Sequence, residues 1–303
     1  MKIEYETSQE YFDKLFFLDP HRYENIDTYS NILFIKENYC DLSNLAFKCF
    51  QNDKYRPETC CVIGNYYGLK GDHAKAVVYF KRAIKLDNNF LSAWTLMGHE
   101  YLEMKSIPAA IESYRTAVDI DPNDYRAWYG LGQTYEIHQM YNYAIYYFLN
   151  AAKAKPNDSR MWTALGSCYE KIEKRNEAIK CYEKAVACKD KEGIAMYKMA
   201  KLYFCIGEED KAAICFKENL KRNFNLSEEV DNAEIVESYL FLAKYHKKRA
   251  EFDEAYNYLI KLKDHEGFEK DEIHSMMREI NNLMSAYNKG EIWNRNNITK
   301  DSL

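Results

Sequence analysis

Three tryptophans, Trp94, Trp128 and Trp162, stand 34 residues apart, and the residues around them repeat in step. Four positions on come Gly98, Gly132 and Gly166; three beyond those come Tyr101, Tyr135 and Tyr169. A second half-unit keeps the same period with Ala110, Ala144 and Ala178, then Tyr114, Phe148 and Tyr182, then Ala117, Ala151 and Ala185. The frame runs back to Cys60, Gly64, Tyr67, Ala76, Phe80 and Ala83, and forward to Met196, Ala200, Tyr203, Ala212 and Phe216. A period of this length restricts the chain to a stack of small, similar units, each unable to bury its apolar face alone.

The spacing within a unit fixes its structure. Intervals of three and four residues place the repeated side chains on one face of a helix, and the small residues let a partner helix approach closely. Each unit is therefore two antiparallel helices, with Pro122 and Pro156 closing the second helix of their units. With only five prolines and 11 glycines the chain has little material for β turns, so an all-α fold is expected. The succession of large apolar residue, small residue, tyrosine, alanine, aromatic and alanine is that of the tetratricopeptide repeat (TPR). The expectation is a TPR superhelix, an α-solenoid of antiparallel helix pairs with about seven repeats and a C-terminal capping helix.

Residues 1–22 read as the second helix of a partial repeat, with Tyr11, Phe12, Leu15 and Pro20. The superhelix is expected over 23–263, its clearest repeats being 57–90, 91–124, 125–158, 159–192 and 193–226. Residues 23–56 keep the period through Ile26, Ser30, Leu33 and Ala46. Beyond residue 220 the spacing stretches through a polar segment, 223–229, where a longer loop or helix is expected, before Tyr239, Leu242, Ala243 and Ala255 resume the pattern. Ile273, Met276, Met277, Ile280, Leu283, Met284 and Tyr287 mark the capping helix, 264–287, and the Asn-rich tail, 288–303, is expected to be disordered.

Composition narrows the function classes. Lys and Arg number 42 against 47 for Asp and Glu, with no basic block longer than Lys247-Lys248-Arg249, which argues against a nucleic-acid partner. No apolar run nears the roughly 18 residues that span a bilayer, and Met1-Lys2-Ile3-Glu4-Tyr5-Glu6 has no signal-peptide core. No membrane partner is expected, and the nine cysteines are expected to be reduced. None forms Cys-x-x-Cys, and the seven histidines lack an i, i+4 pair beside a third ligand, so neither metal nor cofactor is expected. Neither a phosphate-cradling Gly-rich loop nor a nucleophile elbow is present, so no enzymatic activity is expected.

Several runs match more than the generic repeat. Residues 55–67, Tyr-Arg-Pro-Glu-Thr-Cys-Cys-Val-Ile-Gly-Asn-Tyr-Tyr, and 93–101, Ala-Trp-Thr-Leu-Met-Gly-His-Glu-Tyr, resemble the subunit-eight family of the anaphase-promoting complex, a multi-subunit ubiquitin ligase. So do 124–136, Asp-Tyr-Arg-Ala-Trp-Tyr-Gly-Leu-Gly-Gln-Thr-Tyr-Glu, and 156–161, Pro-Asn-Asp-Ser-Arg-Met. The resemblance is dense from about residue 23 to 205. It implies a non-catalytic scaffold in mitotic control, in the nucleus and cytoplasm, that holds other subunits and receives the coactivator's C-box peptide. Family members carry a further N-terminal array that mediates homodimerisation; the chain has little of it, which leaves homodimerisation open.

The groove face can be read from the helical step of about 100° per residue. Off the packing stripe of the first helices lie Asn65; Thr95, His99 and Glu103; Arg126, Tyr129, Gln133 and Glu136; Arg160, Thr163, Ser167 and Glu170; Tyr197 and Lys201. Asn65, His99, Glu103, Arg126, Tyr129, Gln133, Glu136, Arg160, Ser167, Glu170 and Lys201 are the candidate peptide-binding residues. The glutamates suit the arginine that the C-box is expected to carry. The alternative, a co-chaperone adaptor gripping peptide C-termini, calls for a Lys, Asn and Arg carboxylate clamp. The fifth position of the units instead carries Cys61, Thr95, Tyr129, Thr163 and Tyr197.

Overall fold

A computed structural model describes residues 2–19, 22–190, 193–223, 232–263 and 270–288. The segment 223–229, where a longer loop or helix is expected, lies outside the described residues except for Asn223, as do residues 264–269 of the expected capping helix and the tail beyond Asn288. Sixteen helices and no strand occur among those described, and they form two compact units. In Met1–Asn157 the helices are α1 (Lys2–Leu18), α2 (Ile26–Ile35), α3 (Tyr39–Asn52), α4 (Pro57–Leu69) and α5 (His73–Leu86), followed by α6 (Leu91–Glu103), α7 (Ile107–Ile120), α8 (Tyr125–Ile137) and α9 (Tyr141–Ala154). In Asp158–Leu303 they are α10 (Ser159–Lys171), α11 (Arg175–Ala187), α12 (Ile194–Ile206) and α13 (Glu209–Asn223), then α14 (Asn232–Lys248), α15 (Phe252–Lys263) and α16 (Lys270–Asn288). Within each unit consecutive helices pair antiparallel and the pairs stack, giving a TPR array.

The stripe read from the sequence is the packing stripe. Ala76, Phe80, Ala83, Ala110, Tyr114, Ala117, Ala144, Phe148, Ala151, Ala178, Tyr182 and Ala185 are all fully buried. The glycines are needed because the aromatic of the second helix presses on the first. A Cβ built at Gly64 would lie 2.5 Å from the Phe80 ring, at Gly98 2.6 Å from Tyr114, at Gly132 2.5 Å from Phe148, and at Gly166 2.6 Å from Tyr182. Gly130 makes a second approach, 2.5 Å from Tyr114 of the preceding repeat, which the period alone does not reveal.

The tryptophans sit less deeply than the rest of the stripe. Trp94, Trp128 and Trp162 are only partly buried. The indole N–H of Trp94 donates to the Asn88 carbonyl at 2.9 Å, and that of Trp128 to the Pro122 carbonyl at 2.8 Å. The indole thus clamps the turn that leads into its own helix, and a group that must keep one polar edge near a loop cannot sit at the centre of a helix pair.

Every turn from the first to the second helix of a pair is built alike. One residue takes the left-handed conformation: Glu37, Gly71, Lys105, Gln139, Glu173, Gly207 and Ala250, with φ between 54° and 91°. The N–H of the very next residue closes a Schellman-type bond onto the carbonyl at the tyrosine position, as from Asp72 to Tyr67 (2.9 Å), Ser106 to Tyr101 (2.8 Å) and Lys174 to Tyr169 (3.0 Å). Glycine fills only two of these seven places, so the tertiary packing imposes the turn on residues that disfavour it.

At the N-terminal end, Phe12 and Phe16 of α1 pack on Tyr29 with ring centroids 5.0 and 5.4 Å away, whereas Tyr11 faces solvent. At the other end Ile273 and Ile280 of α16 are buried against α14 and α15, which covers the last pair.

Candidate peptide-binding groove

In the first unit the candidate residues fall into three settings. Asn65 is buried, its amide donating to Ser30 Oγ at 2.9 Å and Asn31 Oδ1 at 2.7 Å, so it ties α4 to α2. Thr95 is likewise buried, its hydroxyl bonded to the Leu91 carbonyl at 3.1 Å. His99 is partly buried and shares a 2.8 Å hydrogen bond with the Tyr114 hydroxyl through Nδ1. Burial, and then the nearby Arg126, push its imidazole down to about 4, so the ring is neutral at physiological pH.

Arg126 is more exposed. Its Nε donates to Asp124 Oδ1 at 2.9 Å, while Asp124 itself caps α8 by accepting from the Arg126 backbone N–H at 3.0 Å. Burial works against the Arg126 charge, but Asp124 and more distantly Asp27 outweigh it and hold the guanidinium above its usual range. Asp27 in turn accepts from Ser92 Oγ at 2.9 Å, a link from the start of α2 to the start of α6. Tyr129 is half-buried with its ring 5.3 Å from Phe148, Gln133 and Glu136 are half-buried, and Glu103 is exposed.

In the second unit Arg160 repeats the Arg126 motif 34 residues on, but closes it fully: Nε meets Asp158 Oδ1 at 3.0 Å and Nη2 meets Oδ2 at 2.7 Å. Ser167 is partly buried. Glu170 is exposed and accepts from the buried Tyr182 hydroxyl at 3.0 Å. Lys201 bonds Glu237 of α14 at 2.9 Å, and the Tyr197 hydroxyl donates to the same carboxylate. This end of the face is thus already paired within the chain.

The sequence reading missed Asp27, Ser92, Asp124 and Glu237. Asp124 and Asp158 were visible in principle, since Asn-Asp-x-Arg recurs at 123–126 and 157–160. The Asp27–Ser92 link, across 65 residues, had no local signal. With these added, the first-unit face carries the carboxylates of Asp27, Glu103 and Glu136, while the buried Asp124 pairs with the guanidinium of Arg126 and His99 is neutral. That arrangement favours a cationic ligand.

Comparisons with known proteins agree with this architecture. A family profile described as "TPR repeat" matches residues 98–137, and one described as "Tetratricopeptide repeat" matches 57–90 and 159–189. "Anaphase-promoting complex subunit 8" of Arabidopsis thaliana is 58% identical over 106 residues, which take in 35% of this chain and 18% of that protein. The Dictyostelium discoideum protein of the same name is 55% identical over 106 residues, with the same shares. The match thus spans less than a fifth of these relatives. Among solved structures, "Crystal structure of APC/C hetero-tetramer Cut9-Hcn1" aligns over 91% of this chain and 52% of its own, with a TM-score of 0.62 at 15% identity, a likeness of fold.

Proposed function

We propose that this chain, a tetratricopeptide-repeat homologue of anaphase-promoting complex subunit 8, is a non-catalytic scaffold of that ubiquitin ligase, holding neighbouring subunits and receiving the coactivator's C-box peptide. The role places it in cell-cycle control, in the nucleus and cytoplasm. The observation that carries the assembly role is the 58% identity to subunit 8 over 106 residues, far above what the repeat pattern alone requires. The peptide role is supported by the acidic first-unit face. An extended peptide carrying an arginine meets the carboxylates of Asp27, Glu103 and Glu136 there, Asp124 being buried and paired with Arg126, and His99, Tyr129 and Gln133 add flat and hydrogen-bonding surfaces beside them.

The mechanism is binding without chemistry. Paired helices give a rigid face, so little ordering is required of the receiving side when a peptide docks. Each charge-assisted contact to the ligand arginine contributes about 1.5–3 kcal/mol, so one lost carboxylate weakens binding roughly ten- to a hundredfold. Affinity purification of the tagged chain from its source cell, followed by mass spectrometry, tests the assignment. Recovery of the other ligase subunits supports it; recovery of chaperones without them selects the co-chaperone reading instead.

A further inference from the structure

We propose that His246, Glu251 and Glu254, where α14 turns into α15, form a binding site for a divalent transition metal of the zinc type. His246 stands where earlier repeats carry Tyr67, Tyr101, Tyr135, Tyr169 and Tyr203, and its carbonyl takes the same turn-closing bond, from Glu251 N–H at 3.0 Å. The repeat frame would be satisfied by tyrosine here. Instead it presents an imidazole whose side chain is only 3% exposed, stacked on Tyr258 at 5.6 Å and met edge-on by Tyr245 at 5.2 Å. The sequence pattern concealed this group, because its ligands are five and eight residues apart across a turn.

The two ring nitrogens differ. Nδ1 lies 2.5 Å from Glu251 Oε2, a hydrogen bond that places the proton of a neutral ring on Nδ1 and turns the Nε2 lone pair away from it. Nε2 is buried and makes no hydrogen bond, although Glu254 Oε2 lies 3.2 Å away. Two acceptors held at that separation repel each other unless a cation lies between them. With zinc–ligand bonds of about 2.0–2.1 Å, two ligands of a tetrahedral ion stand roughly 3.3 Å apart, close to the spacing of this pair. Glu251 then plays the part of the carboxylate that orients a metal-bound histidine through its other nitrogen. Glu251 and Glu254 are about half exposed, which gives the ion an entry path and leaves room for water ligands. Lys217 Nζ approaches Glu254 Oε2 at 3.5 Å on a long flexible stem, and must swing aside when the ion binds.

The test uses the full chain with the exposed thiols Cys40 and Cys205 changed to serine, to remove adventitious zinc binding. Zinc chloride is titrated by calorimetry, and cobalt(II) by its visible absorption. The expected result is one saturable site per chain, tetrahedral cobalt bands, and a zinc-dependent rise in unfolding temperature. Glu254→Gln should weaken zinc at least tenfold, and Glu251→Gln by about ten- to a hundredfold. Both side chains are exposed enough for the variants to fold, which circular dichroism checks. Absence of a saturable zinc site, or one of unchanged affinity in folded Glu254→Gln, overturns the proposal. A histidine NMR signal showing His246 doubly protonated at neutral pH and insensitive to zinc does so too, since the ring would then be an imidazolium bridging both carboxylates.

Discussion

Replacing Gly132 by alanine puts the packing account at risk in a single atom. Alanine is favoured over glycine inside a helix by about 0.8–1.0 kcal/mol, so on propensity alone the substitution should stabilise α8. Against this, the new methyl would sit 2.5 Å from Phe148 Cδ1 and Cε1 and 2.9 Å from Cγ. Contact with Cγ means that the root of the ring is struck as well as its tip, so a rotamer change cannot relieve it. Phe148 is fully buried and has no room to retreat. Overpacking of this kind costs about 1–3 kcal/mol, and a clash this short belongs at the upper end, so a net loss of about 1–2 kcal/mol is expected. Urea unfolding followed by circular dichroism measures it. Phe148→Leu removes the struck edge and should cost less in the Gly132→Ala background than alone, a coupling that a double-mutant cycle detects. A Gly132→Ala chain as stable as the parent, or two strictly additive losses, would refute the packing described for this pair.

Trp128→Ala should cost about 2–3 kcal/mol in the same assay, below the 3–5 typical of fully buried large aromatics, because the indole is only partly buried. Glu173→Gly should stabilise by up to about 1 kcal/mol, since φ is 61° there and glycine reaches that region without strain; a loss would mean that the side chain matters to the turn. His99 has its pKa lowered from 6.5 to about 4 on folding, so its contribution is complete above pH 6.5 and is lost as pH falls from there toward 4. Up to about 3 kcal/mol is at stake at 1.36 kcal/mol per unit, and a His99→Gln chain should show a flatter stability profile across that window; parallel profiles would contradict it.

Much of the fold was legible because a stacked array repeats one solution, so a single glycine-to-aromatic contact such as Gly98 on Tyr114 can be read again at Gly132 and Gly166. Burial side by side on one helix face leaves a periodic trace, and Ala110, Ala144 and Ala178 carry it plainly. What escaped was whatever breaks the period. The left-handed turn residues look like turns only at Gly71 and Gly207, since Lys105, Gln139 and Glu173 are held there by packing against their natural preference. The indoles recur with the core residues, yet their N–H groups need turn carbonyls, and periodicity does not report polarity. The groove was legible as a face but not as a network. Helical register places His99 and Arg126 on it, but says nothing of the Asp27–Ser92 link or of Glu237 meeting Lys201.

Binding of a fluorescently labelled C-box peptide, read by anisotropy, tests the proposed groove function most directly. The account predicts saturable binding to the folded chain, lost when the peptide's arginine is changed to alanine. Glu103→Lys and Glu136→Lys should each weaken it about tenfold or more, with greater loss at low salt where the acidic face acts most strongly. Arg126→Ala should leave binding unchanged or strengthen it, because it removes a cation opposing the ligand. Peptide affinity that is the same in Glu103→Lys, Glu136→Lys and the parent, all shown to be folded, would contradict the assignment of this face.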